Sequence, residues 1–365
     1  MDIAQRLRAV RARMEKAGAD ALWISTPENH RYVTGFNNPD GRVLVTAENA
    51  YVFADFRYAE NARKICGASF EVIEPNKKII SGHLPEIFAE CGAVTVAYEE
   101  NALVCAEFDR LKNALPGCSF VPFSEELSDI RRIKTADEAE KIAAAQDIAD
   151  AAFAHILTLL PGNMTIPGNM TEADVAAELE YFMKTHGADG ISFETIAVSG
   201  RASSSPHATP SQRKLENGFL TMDFGAEVDG YRSDMTRTVV LGRADAEMKR
   251  LYETVLNAQL AALREIGPGK DCAATDKIAR DIIDGAGYNG RFGHSLGHGV
   301  GLEIHEAPNL SPSASGKVLV PGDVVTVEPG IYIEGKYGCR IEDMVLITED
   351  GAHNFTHSPK ELIEI

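Results

Sequence analysis

From Ala21 to about Val121, short β-rich runs (ALWIS, VLVT, YVFAD, VTVAYE) alternate with stretches of helical period such as FRYAENARKI and CAEFDRLKNAL. That alternation predicts an α/β domain. Ahead of it, the first 24 residues interleave Arg, Lys, Asp and Glu with apolar positions, the pattern of an amphipathic helix. Pro122 interrupts the strand pattern, and Thr135 with Glu138 three residues later reads as a capping box opening a long helix. The boundary therefore falls near residue 130, with domains over 1–130 and 131–365.

The second region opens with two amphipathic helices, about 136–160 and 172–186. Between them lies PGNMTIPGNMT, in which PGNMT occurs twice and two Pro-Gly pairs forbid a continuous helix. The repeat reads as a duplication tolerated in a surface loop, and no chemistry is attached to it. Strand-like runs follow (TIAVSG, FLTMDFGAEV, YRSDMTRTVVLG), then helices at about 245–265 and 272–286, then more strands (DVVTVEPGIYIE, CRIEDMVLITE). Strands, helices and strands again predict an α+β layer built on an antiparallel sheet.

Composition narrows the function classes. At 365 residues, 44% hydrophobic and 25% charged, the chain is long enough for two cores and is neither disordered nor a disulfide-stapled scaffold. The 36 basic against 54 acidic side chains give a net charge of -18, so neither nucleic acid nor an anionic membrane surface is an expected partner. No stretch approaches the roughly 20 apolar residues of a membrane helix, and the N-terminus supplies no apolar signal core. The six cysteines are scattered without CxxC spacing, which reads as reduced thiols in a cytoplasmic protein.

The excess of carboxylates directs attention to acids placed inside strands. In MDFGAEVDGYRSDMTRTVV, Asp223 and Asp234 stand eleven apart around the turn-forming pair Asp229-Gly230. In a hairpin that odd separation lets them face one another across the ladder, where like charges are destabilising without a compensating cation. For this segment alone, two exposed acids near a turn are an equally good reading. A second ribbon repeats the arrangement, with Glu328 after DVVTV and Glu342 in CRIEDM flanking the turn-rich EGKYG. Two such ribbons suggest related halves meeting at a four-carboxylate centre, whose hard oxygens suit divalent ions such as Mn²⁺, two of them if carboxylates bridge.

Between the ribbons, GHSLGHGVGLEIHEAP holds His294, His298 and His305 among four glycines, which let the backbone approach a ligand closely. Upstream, His207 sits in the Ser/Pro/Gly-rich AVSGRASSSPHATP and, taken alone, reads as inert.

With these residues in view, the chain resembles the Xaa-Pro peptidases, aminopeptidase P and prolidase, of the pita-bread metallopeptidase fold. TGF at 34–36, DFRYAENA at 55–62, IRRIKTADE at 130–138, SGRASSSPHATP, MDFGAEVDGYRSDMTRT, HSLGHGVGLEIHE, VEPGIY and RIED stand in the family's order along essentially the whole chain. The resemblance implies an α/β N-terminal domain of the creatinase/prolidase N-terminal type, followed by an α+β pita-bread catalytic domain with pseudo-twofold halves.

By the same resemblance, Asp223, Asp234, His298, Glu328 and Glu342 are the ligands of a dinuclear centre. Mn²⁺ is the expected metal, with Co²⁺ and Zn²⁺ as alternatives. His207, His294 and His305 would hold substrate and stabilise the oxyanion, Arg340 neighbours the last ligand, and Glu328 would also carry the proton to the leaving nitrogen. The implied activity is removal of the residue preceding proline, led by an Xaa-Pro aminopeptidase because SGRASSSPHATP looks nearer to that branch. An Xaa-Pro dipeptidase is the alternative. A homodimer acting on peptides is expected. Creatinase-type hydrolases, pita-bread interaction proteins and methionine aminopeptidases rank lower, since the first two do without this ligand set and the last normally lacks the N-terminal domain.

Overall fold

The computed structural model describes residues 2–164 and 170–365. The chain divides into two compact units, the first ending at Arg131 and the second spanning Arg132–Ile365.

The first unit runs α1 (Ile3–Ala17), β1 (Ala21–Ile24), α2 (Pro27–Thr34), β2 (Arg42–Thr46), β3 (Ala50–Phe53), α3 (Ala59–Cys66), β4 (Glu71–Ile73), a π-helical turn (Ile79–His83), α4 (Leu84–Cys91), β5 (Thr95–Tyr98), α5 (Cys105–Ala114) and β6 (Ser119–Pro122), with α6 (Ser124–Arg132) at its end. Its six strands form one mixed sheet in the order β4-β3-β2-β1-β5-β6. The β1–β2 and β2–β3 pairs are antiparallel, whereas β1–β5, β5–β6 and β3–β4 are parallel. The amphipathic N-terminal segment starts its helix on Asp2, which shares a capping box with Gln5. Trp23, Leu44, Phe53, Phe88 and Leu111 build the core of one sheet face.

The second unit contains α7 (Ala136–Met164), α8 (Glu172–Thr185), β7 (Gly190–Ile191), β8 (Ile196–Ser199), β9 (Gly218–Phe224), β10 (Ala226–Val228), β11 (Tyr231–Arg232), β12 (Met235–Leu241), α9 (Ala246–Glu265) and α10 (Cys272–Gly285). After these come β13 (Gly297–Gly299), β14 (Glu306–Leu310), β15 (Val324–Val327), β16 (Gly330–Ile333), β17 (Tyr337–Arg340), β18 (Asp343–Ile347) and β19 (Ala352–Asn354). The predicted capping box is formed, with the Thr135 N–H donating to Glu138 at 2.8 Å. The helix it opens passes Pro161 and ends at Met164, four residues beyond the expected 160. A proline in the last turn forfeits bonding only near an end that frays in any case. Of the tandem PGNMT copies, residues 165–169 lie outside the described residues.

Two helix pairs, each against an antiparallel sheet, make the α+β layer. In one half α7 and α8 bury Phe153, Ile156 and Leu179 with Leu220, Met222 and Val239 of the sheet β12-β9-β8. In the other, α9 and α10 bury Leu251, Val255 and Ala279 with Val325 and Val345 of the sheet β14-β13-β15-β18-β19 and with Leu296 just ahead of β13. Against expectation, one helix segment, Ala136–Leu160 with mean hydropathy 1.2, is long and apolar enough to cross a membrane by length and composition. Its alanine-rich face is already committed, since Ala145, Ala149, Ala152 and Phe153 are covered by the first half's core.

Candidate metal centre

The two acid-bearing ribbons differ in register. In the first, Asp229 and Gly230 both have positive φ, 48° and 78°, and Val228 pairs with Tyr231 across a two-residue turn of the kind Asp-Gly favours. This fixes Asp223 opposite Thr236, so Asp223 and Asp234 do not face each other as the eleven-residue spacing suggested. They sit diagonally, two positions apart, and still share a face because side chains alternate with period two. Gly225 is required at this point: a Cβ there would meet the Ser233 carbonyl oxygen at 1.9 Å. The second ribbon turns through Glu334, Gly335 and Lys336. Its register runs from Gly330↔Arg340 to Val327↔Asp343, which sets Glu328 directly opposite Glu342 in the gap between the two pairings.

The imidazoles reach the same place from β13 and its flanks. Gly297 lies so close to β15 that a Cβ would meet the Thr326 carbonyl oxygen at 1.9 Å, which seats His298 against both ribbons. His298 Nδ1 faces the Gly299 carbonyl at 3.1 Å, so Nδ1 carries the proton and Nε2 presents a lone pair. Nε2 lies 3.5 Å from Asp234 Oδ2 and 3.3 Å from Glu328 Oε1. All nine residues singled out in the sequence (His207, Asp223, Asp234, His294, His298, His305, Glu328, Arg340 and Glu342) line one cavity of about 410 Å³ within the second unit.

Burial dominates the electrostatics. It raises the Glu328 carboxyl to about 8, with Asp223 adding to the effect and Arg340 opposing it. Asp234 and Glu342 are likewise pushed well above the carboxylate range, first by burial and then by the other acids. Burial also holds His298 neutral, down to about 4, and His294 down to about 3 with help from Arg340. Among the described residues, Arg340 is the only arginine or lysine lining the cavity. It donates to Asp223 at 2.6 Å, to Tyr332 Oη at 2.7 Å and to Thr236 Oγ1 at 2.9 Å.

These donors fit divalent cations. Acceptor atoms of Asp234, His298 and Glu342 all lie within 4.8 Å of one another, and a neutral imidazole lone pair beside carboxylate oxygens is a donor set of the kind that holds a divalent ion. Glu328 stands at the edge of this trio through its contact with His298. Asp223 is turned toward Arg340, yet its Oδ1 is buried without a partner, an oxygen left for a further ligand bond. Four carboxylates against one guanidinium leave a formal deficit of three positive charges, which favours two divalent ions over one.

Sequence reasoning missed two hydroxyls. Thr236 Oγ1 donates to Glu342 Oε2 at 2.6 Å while receiving Arg340 Nε, and Tyr332 Oη lies 3.0 Å from His294 Nε2 while receiving Arg340 Nη1. Thr236 orients the ligand Glu342 from outside the centre, and Tyr332 orients His294 and Arg340 beside it. Thr236 could have been found from the ribbon, since the two-residue turn places it opposite Asp223. His207, inert by local composition, does line the cavity.

Comparison with known proteins agrees with this geometry. Residues 140–349 match the model of metallopeptidase family M24, and residues 6–133 match the creatinase/prolidase N-terminal domain. The chain is 36% identical to the Xaa-Pro dipeptidase of Pyrococcus furiosus, over 98% of this chain and 99% of that protein. Among solved structures it is similar to the Xaa-Pro dipeptidase from Bacillus anthracis (TM-score 0.94, 38% identity, all of both chains). It is also similar to the X-Pro aminopeptidase from Thermotoga maritima (TM-score 0.86, 35% identity, 97% of this chain and all of the other). The chain therefore belongs to metallopeptidase family M24, joins a creatinase/prolidase N-terminal domain to a pita-bread domain, and is a divalent-metal-dependent hydrolase of peptide bonds.

Proposed function

We propose that this metallopeptidase is an Xaa-Pro dipeptidase. The sequence favoured the aminopeptidase on the strength of one loop, SGRASSSPHATP, but the named relatives similar over the full chain include the dipeptidases of Pyrococcus furiosus and Pyrococcus horikoshii. The observation that carries the reading is that the whole nine-residue pattern lines a single cavity. Its volume of about 410 Å³ lies toward the small end of the roughly 300–1,000 Å³ usual for small-molecule sites, the scale of a short peptide.

Proline's tertiary amide has no N–H and its ring fixes φ near about −65°, so recognition along an extended strand fails and a pocket must take the ring. Phe193, Ile196 and Ile304 give the cavity an apolar wall for it. Two divalent ions, when bound, would supply a nucleophile at neutral pH by lowering the pKa of water toward about 7. The protein's own groups do the rest. His305 and His207 donate to the oxygen of the scissile carbonyl as charge develops there, an effect typically worth roughly 3–4 kcal/mol per donor. Glu328, which reaches into the cavity within 3.3 Å of His298, takes a proton and returns it to the leaving imino nitrogen. Arg340 and Thr236 keep Asp223 and Glu342 aimed inward.

Manganese is the proposed metal, with cobalt and zinc as alternatives, because four of the five donors are hard carboxylates. A cytoplasmic homodimer completes the reading, supported by six free cysteines and by the family resemblance. The test compares an Xaa-Pro dipeptide with an Xaa-Pro-Pro tripeptide in the presence of Mn²⁺. The dipeptide should be the preferred substrate by at least about tenfold in kcat/KM, and equal or better cleavage of the tripeptide returns the assignment to the aminopeptidase.

A further inference from the structure

The N-terminal unit holds a cavity of its own, about 740 Å³, none of whose lining residues belongs to the metal centre. It opens between the π-helical turn Ile79–His83 and α5, over the face of the sheet that carries Trp23. Trp23, Ile79, Ile80 and Ala114 give it an apolar floor, and Lys78, Arg42 and Arg110 give it a cationic rim. Arg42 is engaged by Glu107 at 3.2 Å, and Asp40 by Arg57 at 2.9 Å. Among the described residues, no carboxylate is paired with Lys78 or Arg110. The rim is therefore locally positive in a chain of net charge -18.

Two further features set this cavity apart from an ordinary gap in a helix layer. Trp23 is 1% exposed, yet its indole N–H has no acceptor, which is uncommon for a buried donor. The wall at 79–83 is a π-helical turn, a form that occurs often at functional sites.

We propose that this cavity is a binding site for a small amphipathic organic anion, its apolar body on the floor at Trp23 and its carboxylate paired with Lys78 and Arg110. Trp23 is the chain's single tryptophan, so one indole resonance reports on the site directly. The experiment titrates the ¹⁵N-Trp-labelled full chain, loaded with diamagnetic Zn²⁺, with 4-phenylbutyrate and follows the indole cross-peak, with neutral 4-phenylbutyramide as control. A saturable shift is expected for the acid. It should weaken about tenfold with the amide and about tenfold in the double variant K78E/R110E, the scale of losing two exposed ion pairs. Both rim residues are exposed, so the variant should keep wild-type peptide hydrolysis, which also certifies its fold. No saturable shift, or the same affinity for the amide or in the variant, overturns the proposal. Because the readout is the indole and not turnover, that result is independent of whether the enzyme is a dipeptidase.

Discussion

Thr236→Val removes one oxygen from the centre and very little volume. Thr236 is fully buried in β12, a strand in which valine is equally at home, so the backbone has no reason to move. What disappears is the donor to Glu342 at 2.6 Å and the acceptor for Arg340 Nε at 2.9 Å. Hydrogen bonds to charged groups contribute about 1.5–3 kcal/mol each. With partial relaxation, the metal-free variant should lose about 3 kcal/mol, a fall of roughly 6–12 °C in the melting temperature for a unit of this size. The larger signature lies in cation binding, because groups that orient a ligand from behind typically control 10–100-fold in affinity. Calorimetric titration with Mn²⁺ should show weakening in that range, about 1.4–2.7 kcal/mol, and Thr236→Ser should recover most of it. If the valine variant binds Mn²⁺ as tightly as wild type, or serine fails to restore binding, the hydroxyl does not position Glu342 and the account of the centre is wrong at that point.

Asp234→Asn should reduce bound metal below two ions per chain and lower Mn²⁺-supported turnover by at least about 10²-fold; full metal content by elemental analysis would contradict the ligand assignment. Gly297→Ala places a methyl on the Thr326 carbonyl and displaces His298, so metal affinity should fall together with thermal stability, and an unaffected variant would show that the close approach is not required. Glu328's contribution to the stability of the metal-free protein should fall as pH rises from about 4.5 toward 8, because the folded state keeps that proton to about 8, while the neutral His294 and His298 act in the opposite direction below about 6.5. Melting curves of the chelated protein and of Glu328→Gln compare the two slopes, and an equal or steeper decline in the variant would be inconsistent with this origin. For the same reason, Mn²⁺ binding at pH 7 should release protons, measurable in two buffers of different ionisation enthalpy; zero release would contradict the raised carboxyl.

Most of the architecture was legible because local pattern and fold agree. The short β-rich runs at ALWI, VLVT and YVF became β1, β2 and β3, buried on both faces, and Thr135 with Glu138 opens α7. The register of the acids was only half legible. Residue spacing alone cannot set it, since turn length decides which positions meet. The two-residue turn at Asp229-Gly230 leaves Asp223 opposite Thr236, and the three-residue turn at 334–336 brings Glu328 opposite Glu342. Tyr332 was invisible for a different reason. Its hydroxyl matters through His294, which arrives from another part of the second unit, and no pattern along VEPGIY records that meeting. The helix extension past Pro161 shows the opposite failure, a strong local signal whose effect at a terminus is small.

Asp234 and Glu342 come from opposite halves of the second unit, about a hundred residues apart along the chain. A cation held jointly by them works as a reversible clasp on that span. A covalent clasp of similar reach restricts the unfolded chain by roughly 4–5 kcal/mol, so loading with metal should protect both helix pairs from proteolysis at once, and chelation should expose them together.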